Sequence, residues 1–196
     1  HVKYDNNMHV SQASIEMGKL LGIRKNPSLR PQIYLSNREI FDAELIWKQS
    51  SKQIRILIAP GGSFEEKRWG DLRFAKLTQF ILEKTNHQIC LIGGTEDGKR
   101  VPIEQSNDHR DRVNNLCGKL NLRESAAMVH AADFVISNSS VAMHFAGAFS
   151  KPSLVLLGNC YESAKQHSLQ WGYSDSVVLG KEVKAGIKQV PSPVEV

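Results

Sequence analysis

From residue 54 onward the chain alternates short apolar runs with longer segments whose apolar positions recur every three or four residues. IRILIAP (54–60), QICLIGG (88–94), DFVIS (133–137) and PSLVLLG (152–158) read as strands, and DSVVLG (175–180) as a last, edge strand. The short VNNLCG (113–118) continues the series. Between these runs, DLRFAKLTQFILEKT (71–85) places Phe74, Leu77 and Ile81 on one helical face. NLRESAAMVHAA (121–132) predicts a second helix, with Asn121 as N-cap and Glu124 at the capping-box position. VAMHFAGAF (141–149) predicts a third, beginning near Ser139 or Ser140. Strands that are apolar throughout, separated by amphipathic helices, belong to a parallel sheet covered on both faces. The expected fold is therefore α/β: a Rossmann-like, doubly wound parallel sheet.

The first 52 residues have a different texture. SQASIEMGKLLGI (11–23) has helical spacing at Ile15, Met17, Leu20 and Leu21, and Gly22 suits a helix stop. NPSLRPQIYLS (26–36) then supplies two prolines and an extended run. Residues 1–52 read as an arm or interdomain linker, and residues 53–196 as the sheet domain.

Composition narrows the partners more than the fold. With 41% hydrophobic and 23% charged residues the chain is neither disordered nor fibrous. A net charge of +5 and a pI near 9.1 suit an anionic partner such as a nucleotide, a phosphorylated glycan or an acidic membrane surface. The basic clusters KRW, DHRDR and KEVKAGIK are short and mixed with acids, so solvated surface explains them and no nucleic-acid partner is expected. Cys90, Cys117 and Cys160 are widely spaced and odd in number, which favours reduced thiols over disulfides or a zinc site. No run approaches the roughly 18 apolar residues of a membrane span, and no signal peptide is visible. These features point to the cytoplasm. The start at His1, without an initiator methionine, suggests a fragment.

In doubly wound sheets, ligands bind beyond the carboxyl ends of the strands. Four such ends carry suggestive residues. In APGGSFEEKRWG, Gly61 and Gly62 allow a tight turn and close backbone approach to an anion, Ser63 adds a hydroxyl and Lys67 a charge. A glycine turn beside a surface lysine is the plainer account. In IGGTEDGKR, Gly94 ends a strand and Glu96 or Asp97 can accept from a ribose diol; a solvated turn is the alternative. In NLCGKLNLRE, Gly118 permits close approach to a planar base, while Lys119 is equally at home in solvent. In SNSSVAMHFAGAF, a helix start at Ser139 or Ser140 aims its N–H groups and positive dipole end outward, with Met143 and His144 about one turn in. The serines would cap the helix and offer hydroxyl donors. Neither a P-loop nor a strand-linked G-x-G-x-x-G is present.

Taken in order, APGGSFEEKRWGDLRFAKL, LIGGTED and NLCGKLNLRESAAMVHAADFVISNSSVAMHFAGAFSKPSLVLLG resemble the C-terminal domain of glycosyltransferase family 9, which contains the lipopolysaccharide heptosyltransferases of GT-B fold. The resemblance implies the C-terminal half of a two-domain enzyme, holding a nucleotide-sugar donor of the ADP-heptose type. The acceptor domain and the catalytic base would lie in an N-terminal half of the same protein. It implies that Ser63 and Lys67 contact the diphosphate and that Glu96 or Asp97 contacts the ribose. Residues 116–120, with Leu116, Gly118, Lys119 and Leu120, would border the base. Ser139, Ser140, Met143 and His144 would line the phosphate and sugar end, with Lys67 and His144 nearest the chemistry. No cofactor or metal is implied, and no Asp-x-Asp motif occurs. The acceptor would be a lipopolysaccharide core, another glycan or a lipid-linked sugar, met at the cytoplasmic face of the inner membrane.

Two positions depart from the family pattern. Where asparagine-aspartate-serine-glycine is usual, this chain has Asn138, Ser139, Ser140 and Val141. A carboxylate is thereby lost and bulk is added at the helix start. Downstream, Tyr161, His167 and Trp171 could shape a sugar pocket or simply pack a loop. IKQVPSPVEV (187–196) looks like the approach to a further helix. A GT-B epimerase or phosphorylase, or a non-catalytic nucleotide-binding domain, would use the same donor groups.

Overall fold

The computed structural model describes residues 5, 7–24, 28–47, 53–102 and 110–181. Six parallel strands form one sheet: β1 (Arg55–Ala59), β2 (Gln88–Leu91), β3 (Val113–Asn115), β4 (Phe134–Asn138), β5 (Ser153–Leu156) and β6 (Ser176–Leu179), in the order β3-β2-β1-β4-β5-β6. Ile58 of β1 lies opposite Leu91 on one side and Ile136 on the other. The chain therefore runs outward from the centre in both directions, and its switch point falls between β1 and β4.

Alternate residues of β1 enter opposite layers. Leu57 and Ala59 pack with α5 (Leu122–Ala131) and α6 (Val141–Ala148) through Ala126, Val129 and Ala146. Ile56 and Ile58 pack with α3 (Asp71–Lys84) through Phe74, Leu77 and Leu82. Burial on both faces is why these strands carry no polar stripe. The doubly wound α/β expectation is realised, with β6 at the edge. The capping box on α5 also forms: Asn121 Oδ1 accepts from Glu124 N at 2.9 Å, and Glu124 Oε2 accepts from Asn121 N at 2.7 Å.

The remaining helices lie where the periodic reading saw less. α1 (Val10–Leu20) forms as expected and stops before Gly22 (φ +85°), but Met17 and Leu20 stay exposed. α2 (Asn37–Ile46) lies inside the segment read as an arm; it packs on α5, and Ala43 and Trp47 enter the same core as Leu57. Its start is a full capping box between Ser36 and Glu39. α4 (Thr95–Arg100) and α7 (Ala164–Trp171) occupy stretches that read as a turn and a loop. The approach to a helix expected at 187–196 lies outside the described residues, and among these no helix is long and apolar enough to cross a membrane.

Candidate functional site

A cleft of about 850 Å³ opens over the carboxyl ends of β1 and β4. One buried side chain joins the two strand ends. Asn138, at the end of β4 and fully buried, accepts from Trp69 N through Oδ1 at 2.8 Å. Its Nδ2 donates to Pro60 O at 2.5 Å and to Gly61 O at 3.2 Å. The loop after β1 is pinned from its far side as well. A Cβ on Gly158, just past β5, would stand 2.3 Å from Glu66 O, and Cys160 N donates to that same carbonyl at 3.0 Å. These contacts hold the short 3-10 turn Glu65–Lys67 against the strand ends and bring Lys67 to the cleft. Its ammonium stands 5.3 Å from the Phe64 ring centroid and makes no ion pair among the described residues.

The β1–β2 wall is built from backbone. Gly61, Gly62, Gly93 and Gly94 line it, with Ser63 at its rim. Asp97 reaches in from α4, where Oδ2 accepts from Gly94 N at 2.8 Å. A Cβ on Gly61 would meet that oxygen at 2.5 Å and one on Gly93 at 2.7 Å, so the glycines here make room for a carboxylate.

The β4–α6–α7 wall is built from side chains. Ser139, Ser140, Val141 and His144 line it, with Tyr161 and Trp171 facing from the α7 side. Ser140 occupies the N-cap position of α6 but makes no side-chain capping bond, against the expectation that it would cap. The first N–H groups of α6 are therefore met by no side chain at the N-cap. His144 Nδ1 lies 3.0 Å from the Tyr173 hydroxyl, and its ring meets Trp171 edge-on at 5.9 Å. Burial, and after it the charges of His9 and Lys67, hold the His144 pKa below its ordinary value. Behind this wall sits His167, 2% exposed, with Nε2 2.8 Å from Ser139 Oγ. Burial first, then His144 and Lys67, pushes its pKa down to about 4. At neutral pH both rings are uncharged.

Of the expected site residues, Gly61, Gly62, Ser63, Lys67, Gly94, Asp97, Leu120, Ser139, Ser140 and His144 line the one cleft. Five others do not. Glu96 points outward and pairs with Lys99 at 2.8 Å. Met143 is on the core side of α6, packed with Val155 and Leu157. Leu116 packs against the layer that holds α5. Gly118 (φ +75°) is pressed against Thr95, where its missing side chain admits a turn rather than a ligand. Lys119 bonds the Asn115 carbonyl at the surface. Residues not named as site candidates also border the cleft, among them Asn121, Leu122, Ser125 and Phe145. The capping box pointed to the first of these, since a helix start after a strand end faces the cleft; nothing in the spacing marked the others.

A family model for glycosyltransferase family 9 (heptosyltransferase) matches residues 18–189. The chain belongs to this family. It is 29% identical over 143 residues to lipooligosaccharide heptosyltransferase 2 of Haemophilus influenzae, covering 67% of this chain and 40% of that protein. It is 26% identical over 136 residues to lipopolysaccharide heptosyltransferase 2 of Escherichia coli, covering 67% and 39%. The matched stretch thus takes in about two fifths of the length of these relatives. Among solved structures it superposes on a glycosyltransferase family 9 protein from Veillonella parvula with TM-score 0.74 at 20% identity, covering 91% of this chain and 50% of that one. It superposes on E. coli ADP-heptose lps heptosyltransferase II with TM-score 0.69 at 22% identity, covering 87% and 52%. At those identities the superpositions establish the fold, which is that of half of a GT-B protein.

Proposed function

We propose that the cleft is the donor site of a sugar transferase and holds a nucleoside diphosphate sugar. One observation carries this reading. The switch-point cleft gathers a cation with no ion pair among the described residues (Lys67), a helix N-terminus without a side-chain cap (α6) and a carboxylate (Asp97) at its opposite wall. A diphosphate fits between Lys67, Ser63, Ser140 and the N–H groups at the start of α6. A ribose diol donates to Asp97, and the base lies toward Leu120. The neutral His144 offers the sugar a hydrogen bond rather than a charge.

In the reaction, an acceptor hydroxyl attacks the anomeric carbon as the bond from that carbon to the diphosphate oxygen breaks. The hydroxyl proton passes to a base on the acceptor domain. Lys67 and the α6 N–H groups neutralise the charge that builds on the leaving diphosphate, and the anomeric configuration inverts. The name of the E. coli structure supports ADP-heptose as donor, and the names of the relatives support a lipopolysaccharide-type acceptor. Transfer itself belongs to the complete two-domain protein.

Calorimetric titration with ADP-heptose, GDP-mannose and UDP-glucose tests the donor reading. We expect the ADP-sugar to bind, and Lys67→Ala to weaken it at least about tenfold by removing a charge-assisted contact. If none of the three binds, the cleft is not a donor site. If one binds while Lys67→Ala leaves affinity intact, the diphosphate lies elsewhere. Binding without transfer by the complete protein would leave a non-catalytic nucleotide-binding domain.

A further inference from the structure

Ser139 does not stand alone at the cleft floor. Its Oγ is 2.8 Å from His167 Nε2, and the imidazole is fixed from the side by Tyr161, whose ring meets it edge-on at 4.9 Å and 90°. The other ring nitrogen, His167 Nδ1, is buried and makes no hydrogen bond among the described residues. A neutral imidazole has one N–H and one bare nitrogen, and the partners decide which is which. With the proton on Nδ1, a donor would be stranded in the packed layer under α7. With the proton on Nε2, the stranded atom is a bare acceptor and the N–H is satisfied by Ser139 Oγ. Orphaned buried donors are the rarer and costlier outcome, so the second tautomer is favoured.

This tautomer dictates what Ser139 can do. One oxygen lone pair is taken by His167, and the hydroxyl proton is left to point elsewhere. When no ligand is bound it can rest on the Tyr161 hydroxyl, with which Ser139 also interacts. An anionic oxygen entering the cleft is the stronger acceptor and draws it away. The charged and titratable groups near the ring are His144, Lys67 and Tyr161, and none is a carboxylate that would protonate it.

We infer that His167 is a positioning residue that orients the Ser139 hydroxyl as a hydrogen-bond donor to a diphosphate oxygen. The inference rests on the donor-site reading above and names one of its contacts. Long-range proton–nitrogen NMR of the unaltered protein at neutral pH should show His167 protonated on Nε2 only; protonation on Nδ1 would overturn the inference. In titrations with ADP, Ser139→Ala should bind about tenfold more weakly. Adenosine, which has no diphosphate, should bind both forms within about twofold. His167→Phe should match the loss of Ser139→Ala, and the double variant should lose no more than either single one. His167→Gln, whose side-chain amide can still donate, should recover most of the affinity. An equal loss for adenosine and ADP would assign Ser139 a merely structural role and defeat the proposal. If the unaltered protein fails to bind ADP, the donor-site reading itself falls, whichever tautomer the spectrum shows.

Discussion

The two walls of the cleft meet at one asparagine and are built on opposite plans. On the β1–β2 side, glycines bring bare backbone and one carboxylate close together. On the β4–α6–α7 side, hydroxyls, imidazoles and aromatic rings are stacked two layers deep, and two histidines are held neutral by burial. The first wall can tolerate little added volume. The second can tolerate little added charge. That contrast separates what each variant should break.

The shared hinge should fail hardest. Asn138→Ala removes an acceptor for Trp69 N and a donor for two carbonyls in a fully buried position. Each such loss costs about 1–3 kcal/mol, so a total near 4 kcal/mol is expected from urea unfolding. ADP binding should disappear along with it, because the loop bearing Lys67 loses its tether to β4. A stable variant that binds ADP normally would show that the walls are held together by other contacts.

How far this was legible in the sequence follows the same division. The sheet was legible because strands buried on both faces leave unbroken apolar runs, as in Arg55–Ala59 and Ser153–Leu156. The positions of Lys67 and Asp97 at the cleft were legible because glycine pairs at strand ends announce close backbone approach. The choice of Asp97 over Glu96 was not, since it depends on which face of a six-residue helix turns inward. His167 could be seen only as a residue of an uncertain loop. Its meaning comes from a contact with Ser139 across 28 residues, which no local pattern encodes. Met143 was placed in the site together with His144 by the family pattern, yet on a helix adjacent residues face about 100° apart, and it faces the core. The same limit hid α2, although Ser36 and Glu39 carry a capping-box signature.

The side-chain wall should be the acid-sensitive one. His167 has a folded pKa near 4 against an ordinary 6.5, so its contribution is full above pH 6.5 and is lost as the pH falls toward 4. Complete loss corresponds to about 3 kcal/mol, and His144 shifts in the same direction. The Glu39 carboxylate, held at about 2 chiefly by Arg123, loses its contribution only below the ordinary carboxylate range. The interval from pH 7 to 5 therefore isolates the histidines. Urea midpoints should fall across it, and His167→Gln should flatten the fall. An unchanged slope in that variant would place the acid sensitivity outside the wall.

The backbone wall should respond to volume instead. Gly61→Ala puts a methyl group 2.5 Å from Asp97 Oδ2, so the carboxylate must leave its bond to Gly94 N. Overpacking of this kind costs about 1–2 kcal/mol, and ADP affinity should fall about fivefold with it, in line with the loss of one ribose contact. Gly62→Ala is the matched control. Its Cβ meets Arg68 Cγ at 2.9 Å, on a long side chain that can shift, and it should cost less on both measurements. Equal effects at the two glycines would mean that the tight fit around Asp97 is irrelevant to binding.

The finest distinction lies between two neighbours on α4. Glu96 and Asp97 share a charge and a helix turn, but Glu96 pairs with Lys99 in solvent while Asp97 sits between two glycines at the cleft. An exposed i,i+3 pair is worth only a few tenths of a kcal/mol, so Glu96→Gln should leave both stability and ADP affinity within error. Asp97→Asn keeps the shape and removes the charged acceptor, and should weaken ADP a few-fold by loss of the ribose contact. That penalty should shrink when the titrant is 2′-deoxy-ADP or 3′-deoxy-ADP, because one of these lacks the hydroxyl that Asp97 would receive. A penalty that persists with both deoxynucleotides would mean that Asp97 acts by holding the Gly94 turn and not by touching the ribose. In that case the backbone wall would carry no side-chain contact to the ligand apart from Ser63 at its rim.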